Sequence, residues 1–284
     1  MCVKTSFFVV SVVLLSFFCI QSVQSKSVIV HFAYQDTSNF PYQTGEGSAI
    51  DWSKPGLAVD LLMLVDQKLD IEILFQRLPW KRGLVHLQQG RIDGLFNASF
   101  KSERLECGVY PMKEGKLDEH RRSYSNTYVF YKRKDSPLTW DGKVLTHLSR
   151  PIGAPFGFSV VDDLKQLGAQ VEEVKNTETN FKKLLSGRID GVATLEAEGD
   201  FMLETQGKHY GDIEKVKPAI KVKAYYLMLS YQFVAAHPEL SEDIWDMIAI
   251  VRESDEFKQL AAKYLEKGVK SSFDSWWPSK ARVK

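Results

Sequence analysis

The sequence predicts an α/β protein made of two similar lobes, joined by two extended crossings that leave a cleft between them. Three observations carry this expectation. Strand-like and helix-like segments alternate from residue 28 onward. The pentapeptide Gly90-Arg91-Ile92-Asp93-Gly94 returns unchanged as Gly187-Arg188-Ile189-Asp190-Gly191. Two tyrosine-rich, β-prone runs, at 124–131 and 224–229, lie where the chain would pass between lobes.

The first 25 residues read as a secretory leader. Lys4 supplies the positive start, residues 7–20 the apolar centre, and Val23-Gln24-Ser25 the small residues of a cleavage site. The apolar run is shorter than the ~20 residues of a spanning helix, which favours a cleaved leader over a retained anchor. An exported, periplasmic protein follows. Cys2 and Cys19 would leave with the leader, so Cys107 alone stays and no internal disulfide can form.

Residues 28–34 form the first strand, and a loop rich in Asn, Pro, Gly and Ser spans 36–55. Apolar residues at helical spacing predict a helix over 57–69, and a second strand covers 71–75. A helix over 83–89 ends at Gly90, the residue type suited to a left-handed stop, and a strand covers 92–98. The second pentapeptide has matching flanks, a helical segment at 181–185 and an apolar strand from Val192. Asp93 and Asp190 are therefore read as holding the turn into a strand, not as catalytic groups. Amphipathic helices over 240–251 and 255–265 close the chain. The expected division is 26–124 for the first part of lobe 1, 125–226 for lobe 2, and 227–284 for the return to lobe 1. Trp276 and Trp277 are expected to pack the tail against a lobe.

Lys+Arg number 37 and Asp+Glu 36, a balance that argues against nucleic acid as partner. His31, His86, His120, His147, His209 and His237 show no metal-ligand spacing. No Gly-x-Ser-x-Gly elbow and no phosphate-cradling glycine loop is present, so neither a metal nor a cofactor is expected.

From about residue 28 to 265 the chain resembles the family 3 extracellular solute-binding proteins, the periplasmic receptors of polar amino-acid ABC transporters. The markers are Asn39-Phe40-Pro41-Tyr42, Gly56 to Leu61, and Pro79-Trp80 leading to Gly90 and Asp93. Ser102-Glu103-Arg104, Tyr110-Pro111 and Gly157-Phe158-Ser159 follow in order, with 225–238 closing the series. The resemblance implies the type II periplasmic-binding-protein fold, with two hinge crossings and the ligand cleft between lobes. It also implies a monomeric receptor for a small molecule, with an inner-membrane ABC permease as partner.

The resemblance places Arg104 on the ligand carboxylate, where a guanidinium offers two parallel hydrogen bonds that lysine cannot match. Ser99 would help hold the same carboxylate, and the backbone at Asn97 would contact the ligand amine. Trp80 would stack on the ligand, with Tyr42 completing an aromatic slot and Asp36 meeting a positive group. In lobe 2, Gly157, Phe158 and Ser159 stand where a Gly-Thr or Gly-Ser pair usually donates to the carboxylate. Ser159 also has the residue type of a helix N-cap. The family's ammonium-binding acid falls at Leu195, leaving Glu196 as the nearest carboxylate. Either Glu196 serves in its place or no α-ammonium is recognised. A periplasmic enzyme on the same scaffold, resembling a cyclohexadienyl dehydratase with Glu196 as general acid, is the alternative, and a soluble sensor module the third reading.

Overall fold

The structure, a computed structural model, describes residues 28–265. The expected leader, Cys2, Cys19, Trp276 and Trp277 lie outside the described residues. In chain order the strands are β1 (Ile29–Gln35), β2 (Glu72–Leu78), β3 (Gly94–Ser99), β4 (Met112–Lys113), β5 (Lys116–Leu117) and β6 (Tyr124–Arg133). They continue as β7 (Thr139–Trp140), β8 (Leu145–Thr146), β9 (Ile152–Pro155), β10 (Val171–Val174), β11 (Gly191–Leu195) and β12 (Ile213–Leu229). The helices are α1 (Leu57–Leu69), α2 (Trp80–Gln88), α3 (Val160–Gln166), α4 (Thr177–Leu185) and α5 (Glu196–Thr205). After them come α6 (Gly207–Tyr210), α7 (Tyr231–Ala236), α8 (Pro238–Glu253) and α9 (Asp255–Leu265).

One eight-stranded sheet runs through both lobes in the order β10-β9-β11-β6-β12-β3-β1-β2. β1 pairs in parallel with β2 and β3, and β9 pairs in parallel with β10 and β11. The two parallel halves are joined by the long antiparallel pair β6 and β12, whose register runs from Ile213 opposite Arg133 to Tyr225 opposite Tyr124. These are the two crossings. Tyr225 pairs with both Tyr124 and Ser99, so it stands at the point where lobe 1 meets the hinge.

Each lobe has its own core, because helices cover both faces of each parallel half. In lobe 1, α1 buries Leu57, Ala58, Val59, Leu61, Leu62, Leu64 and Val65 against β1 and α8. Each large side chain among them is worth about 1.5–3 kcal/mol of burial. In lobe 2, Tyr128, Phe130, Ile152, Leu164 and Leu195 form one cluster, and Tyr131, Phe181, Leu184 and Ile189 another.

The repeated pentapeptide does the same job twice. Gly90 and Gly187 end α2 and α4 in left-handed conformation, with φ of 64° and 68°. Asp93 then accepts a hydrogen bond from the backbone N–H of His31 at 2.8 Å. Asp190 accepts from the N–H groups of Ser149 and Arg150 at 2.5 and 2.6 Å. The shift has a covalent cause. Pro151 occupies the place of His31 and carries no N–H, so the second carboxylate reaches back to the residues before it.

Several boundaries differ from the sequence expectation, three of them instructively. α2 begins at Trp80 instead of residue 83, because Pro79 holds φ at −51° just ahead of it. β2 continues to Leu78, three residues past its expected end. β12 starts at Ile213, well before residue 224; residues 214–224 interleave lysine with Val and Ile and are half-buried or exposed.

Candidate functional site

The cleft between the lobes contains a small cavity, about 30 Å³ in volume, lined from both sides. Lobe 1 contributes Gln35, Asn39, Gln43, Trp80, Asn97, Ser99 and Arg104. Lobe 2 contributes Gly157, Phe158, Ser159 and Leu195, and the crossings contribute Tyr128 and Tyr225. The position follows from the topology: β3 ends at Ser99 and β11 at Leu195, and open α/β sheets bind ligands off the carboxyl ends of their strands.

Arg104 sits on a 3₁₀ turn over Ser102–Glu106 and is only 7% exposed. One terminal nitrogen donates to the Ser99 carbonyl at 2.6 Å and lies 3.2 Å from the Ser99 hydroxyl. The other donates across the cleft to the Gly157 carbonyl at 3.1 Å. The guanidinium carbon lies 4.9 Å from the Trp80 ring centroid, so the charge rests on an aromatic face. Burial, backbone anchoring and a cross-cleft bond together hold the guanidinium fixed and desolvated at the cavity wall.

Asn97 adopts a left-handed backbone, φ 63°, at the cavity wall. Its amide orientation is set by a relay. Gln43 Nε2 donates to the carbonyls of Gln35 and Thr37, so Gln43 Oε1 must face outward as an acceptor. Asn97 Nδ2 donates to that oxygen at 2.6 Å. Asn97 Oδ1 is left buried with no protein partner, and so is Asn39 Oδ1.

Tyr128 and Tyr225 place their hydroxyls 2.5 Å apart at the hinge side of the cavity. Burial pushes Tyr225 up to about 12 and Tyr128 well above its ordinary value, so both remain neutral hydroxyls. Ser159 stands at the N-cap position of α3 but makes no capping bond, contrary to the role its type suggests, and its buried hydroxyl lies beside Tyr128. Gly157 holds φ at 76°, and its N–H donates to Glu173 at 2.7 Å.

Three expected contacts are corrected. Tyr42 does not line the cavity: its ring stacks on Tyr124 at 3.8 Å, Tyr124 stacks on Tyr225, and its hydroxyl donates to the Ser125 carbonyl. It braces the hinge from behind. Glu196 also lies away from the cavity, because it opens α5 and its carboxylate pairs with Lys215 at 2.8 Å. Asp36 lines a second groove at the mouth of the cleft, about 430 Å³, together with Phe156, Glu173, Lys175 and Lys81. That groove shares Gln35 and Trp80 with the inner cavity.

Sequence reasoning missed Gln35, Asn39, Gln43, Tyr128 and Tyr225 as lining residues. Asn39 and Tyr42 belong to a marker segment in which the aromatic drew attention and the amides did not. Further contacts hold the lobes together: Lys101 pairs with Asp162 at 2.5 Å, and Lys175 with Glu46 at 3.8 Å.

No protein-family model matches the chain, and no curated protein matches it. Solved structures do. The arginine-, lysine-, histidine-binding protein ArtJ from Geobacillus stearothermophilus is 16% identical, with a TM-score of 0.65, covering 87% of this chain and 98% of its own. An ABC-transporter substrate-binding protein from Streptococcus pneumoniae with bound histidine is 17% identical, with a TM-score of 0.64, covering 85% and 94%. A histidine-kinase sensor domain similar to periplasmic binding proteins is 16% identical, with a TM-score of 0.65, covering 84% and 96%. At this identity the likeness establishes the fold. This chain has the two-lobed architecture of the periplasmic binding proteins, as its sequence markers imply.

Proposed function

We propose that the protein is a solute-binding receptor that captures a small carboxylate-bearing ligand, an amino acid or related organic acid, between its lobes. The observation that carries this reading is the buried Arg104 guanidinium, held by Ser99 on one lobe and turned toward Gly157 on the other. An incoming carboxylate would take the place of the Gly157 carbonyl, with the Ser159 and tyrosine hydroxyls available as further donors. Ligand that bridges both lobes shifts the population toward the closed form, and the excluded water strengthens the ionic contact.

On this reading the lobes divide as 26–124 with 227–284, and 125–226. The leader is cleaved, the monomer works in the periplasm, and an ABC permease recognises the closed shape. Among the described residues no helix is long and apolar enough to cross a membrane. The solved amino-acid-binding proteins of the same fold support the receptor reading. The sensor domain of similar fold supports a second one, in which the closed lobes signal to a membrane partner.

The dehydratase alternative loses its named general acid, since Glu196 is paired with Lys215 away from the cavity. A thermal-shift screen of amino acids, dicarboxylates, oligopeptides and aromatic acids tests the proposal. Ligand bound to the native state raises the melting temperature. A rise with acids and none with uncharged analogues is expected; no rise with any acid contradicts it.

A further inference from the structure

Resting on the carboxylate-receptor reading, we infer that the ligand is a mono-anion whose second polar group is a neutral donor. It is a hydroxy acid or an N-acylated acid, not a zwitterionic amino acid.

The argument is an inventory of charge around the cavity. One of the thirteen lining residues is a cation, Arg104, and none is a carboxylate. Leu195, fully buried, fills the wall at the end of β11. Six nearby acids are committed elsewhere, while Asp36 stands at the mouth of the cleft and Glu198 is held by Thr177 and Thr194. Glu196 and Asp200 pair with Lys215, and Asp163 pairs with Lys223. Asp162 pairs with Lys101, Glu46 with Lys175, and Glu173 accepts from the Gly157 N–H. Lys223 itself donates to the Ser159 carbonyl and backs the same side of the cavity. Arg104 is therefore the one charged side chain among the lining residues.

The polar atoms match one half of a ligand to each side. Arg104, Ser99, Ser159, Tyr128 and Tyr225 supply N–H and O–H donors for an anion. The acceptors are neutral amides. The Gln35–Gln43–Asn97 relay fixes Asn97 as an acceptor, and Asn39 Oδ1 is a second buried oxygen without a protein partner. Asn39 is 7% exposed. Buried acceptors are costly until a donor meets them, and a hydroxyl or amide N–H does so without bringing a charge. An ammonium would satisfy the same oxygens but would enter a cavity lined by no carboxylate to compensate it.

Matched pairs test this directly. L-lactate and L-alanine, L-phenyllactate and L-phenylalanine, and N-acetyl-L-alanine are compared on the folded protein by thermal shift and then calorimetry, with Arg104→Ala alongside. The expected result is that a hydroxy or N-acetyl acid binds at least tenfold tighter than its amino acid and that Arg104→Ala abolishes the shift. An amino acid that binds as tightly as its hydroxy counterpart overturns this inference and leaves the receptor reading standing. No shift with any acid of the set overturns this inference, and the receptor reading falls with it only when the wider acid screen also gives none.

Discussion

The Arg104 guanidinium donates across the cleft to the Gly157 carbonyl at 3.1 Å, while its other nitrogen is anchored to the Ser99 carbonyl at 2.6 Å. A single side chain thus ties the carboxyl end of β3 in lobe 1 to the loop ahead of α3 in lobe 2. The charge is presented where the two lobes meet, and on the proposed reading a ligand acid competes there with a backbone oxygen.

Gly157 is the lobe 2 half of that contact, and its left-handed backbone suits no other residue well. An added Cβ would lie 3.3 Å from the Trp80 ring. Gly157→Ala should cost about 1–2 kcal/mol in backbone strain. It should also weaken ligand binding, because the carbonyl and N–H of this residue move with it. Gly168, with φ of 80° and open space around its missing Cβ, is the control. Gly168→Ala should lower the melting temperature comparably and leave affinity unchanged.

The two repeated aspartates predict a stability effect without a binding effect. Asp93→Ala removes the acceptor of one backbone N–H, and Asp190→Ala that of two. These bonds are exposed, so water can take over the freed N–H groups and each lost bond costs about 0.5–1.5 kcal/mol. Denaturant unfolding should show the larger loss for Asp190→Ala, with dissociation constants of both variants near wild type. Lost binding at unchanged stability would contradict the structural assignment.

Glu198 predicts a pH dependence. Burial, aided by the charge of Glu46, raises its carboxyl from 4.5 to about 7, against hydrogen bonds from Thr177 and Thr194. A carboxyl raised in the folded state favours folding while it is protonated. Its contribution is present below about pH 4.5 and is lost as pH rises toward 7. Glu198→Gln should therefore stabilise the protein at pH 8 by about 1–3 kcal/mol and flatten the stability profile across that interval. A profile unchanged by the substitution would remove Glu198 as its source.

Much of the fold was legible because its periodicities are strong. α1 and α9 match their expected limits, since each carries an apolar stripe with polar residues at both ends. β12 was read only in its last third: Lys215, Lys217, Lys221 and Lys223 break the apolar pattern, and Pro218 interrupts the ladder where the register shifts. Ser99 and Arg104 were legible through the family resemblance, which puts them at and just past the end of β3. The site was not legible at Gln35, Asn39 and Gln43, because amides on a polar loop carry no period, and only the folded relay shows which oxygen is left over. Tyr42 and Glu196 were drawn to the cavity by sequence position. Stacking on Tyr124 and pairing with Lys215, both contacts made in the folded chain, keep them away.

The central claim is that Arg104 holds the ligand's acid group. Isothermal titration of Arg104→Ala and Arg104→Lys, using the acid that gives the largest thermal shift on the wild type, tests it most directly. Truncating one partner of a buried ion pair predicts a loss of about 2–5 kcal/mol, roughly 30- to 5,000-fold in affinity, for the alanine variant. Lysine should restore only part of it, because an ammonium cannot form the paired contact. A dissociation constant for Arg104→Ala within twofold of wild type would contradict the account.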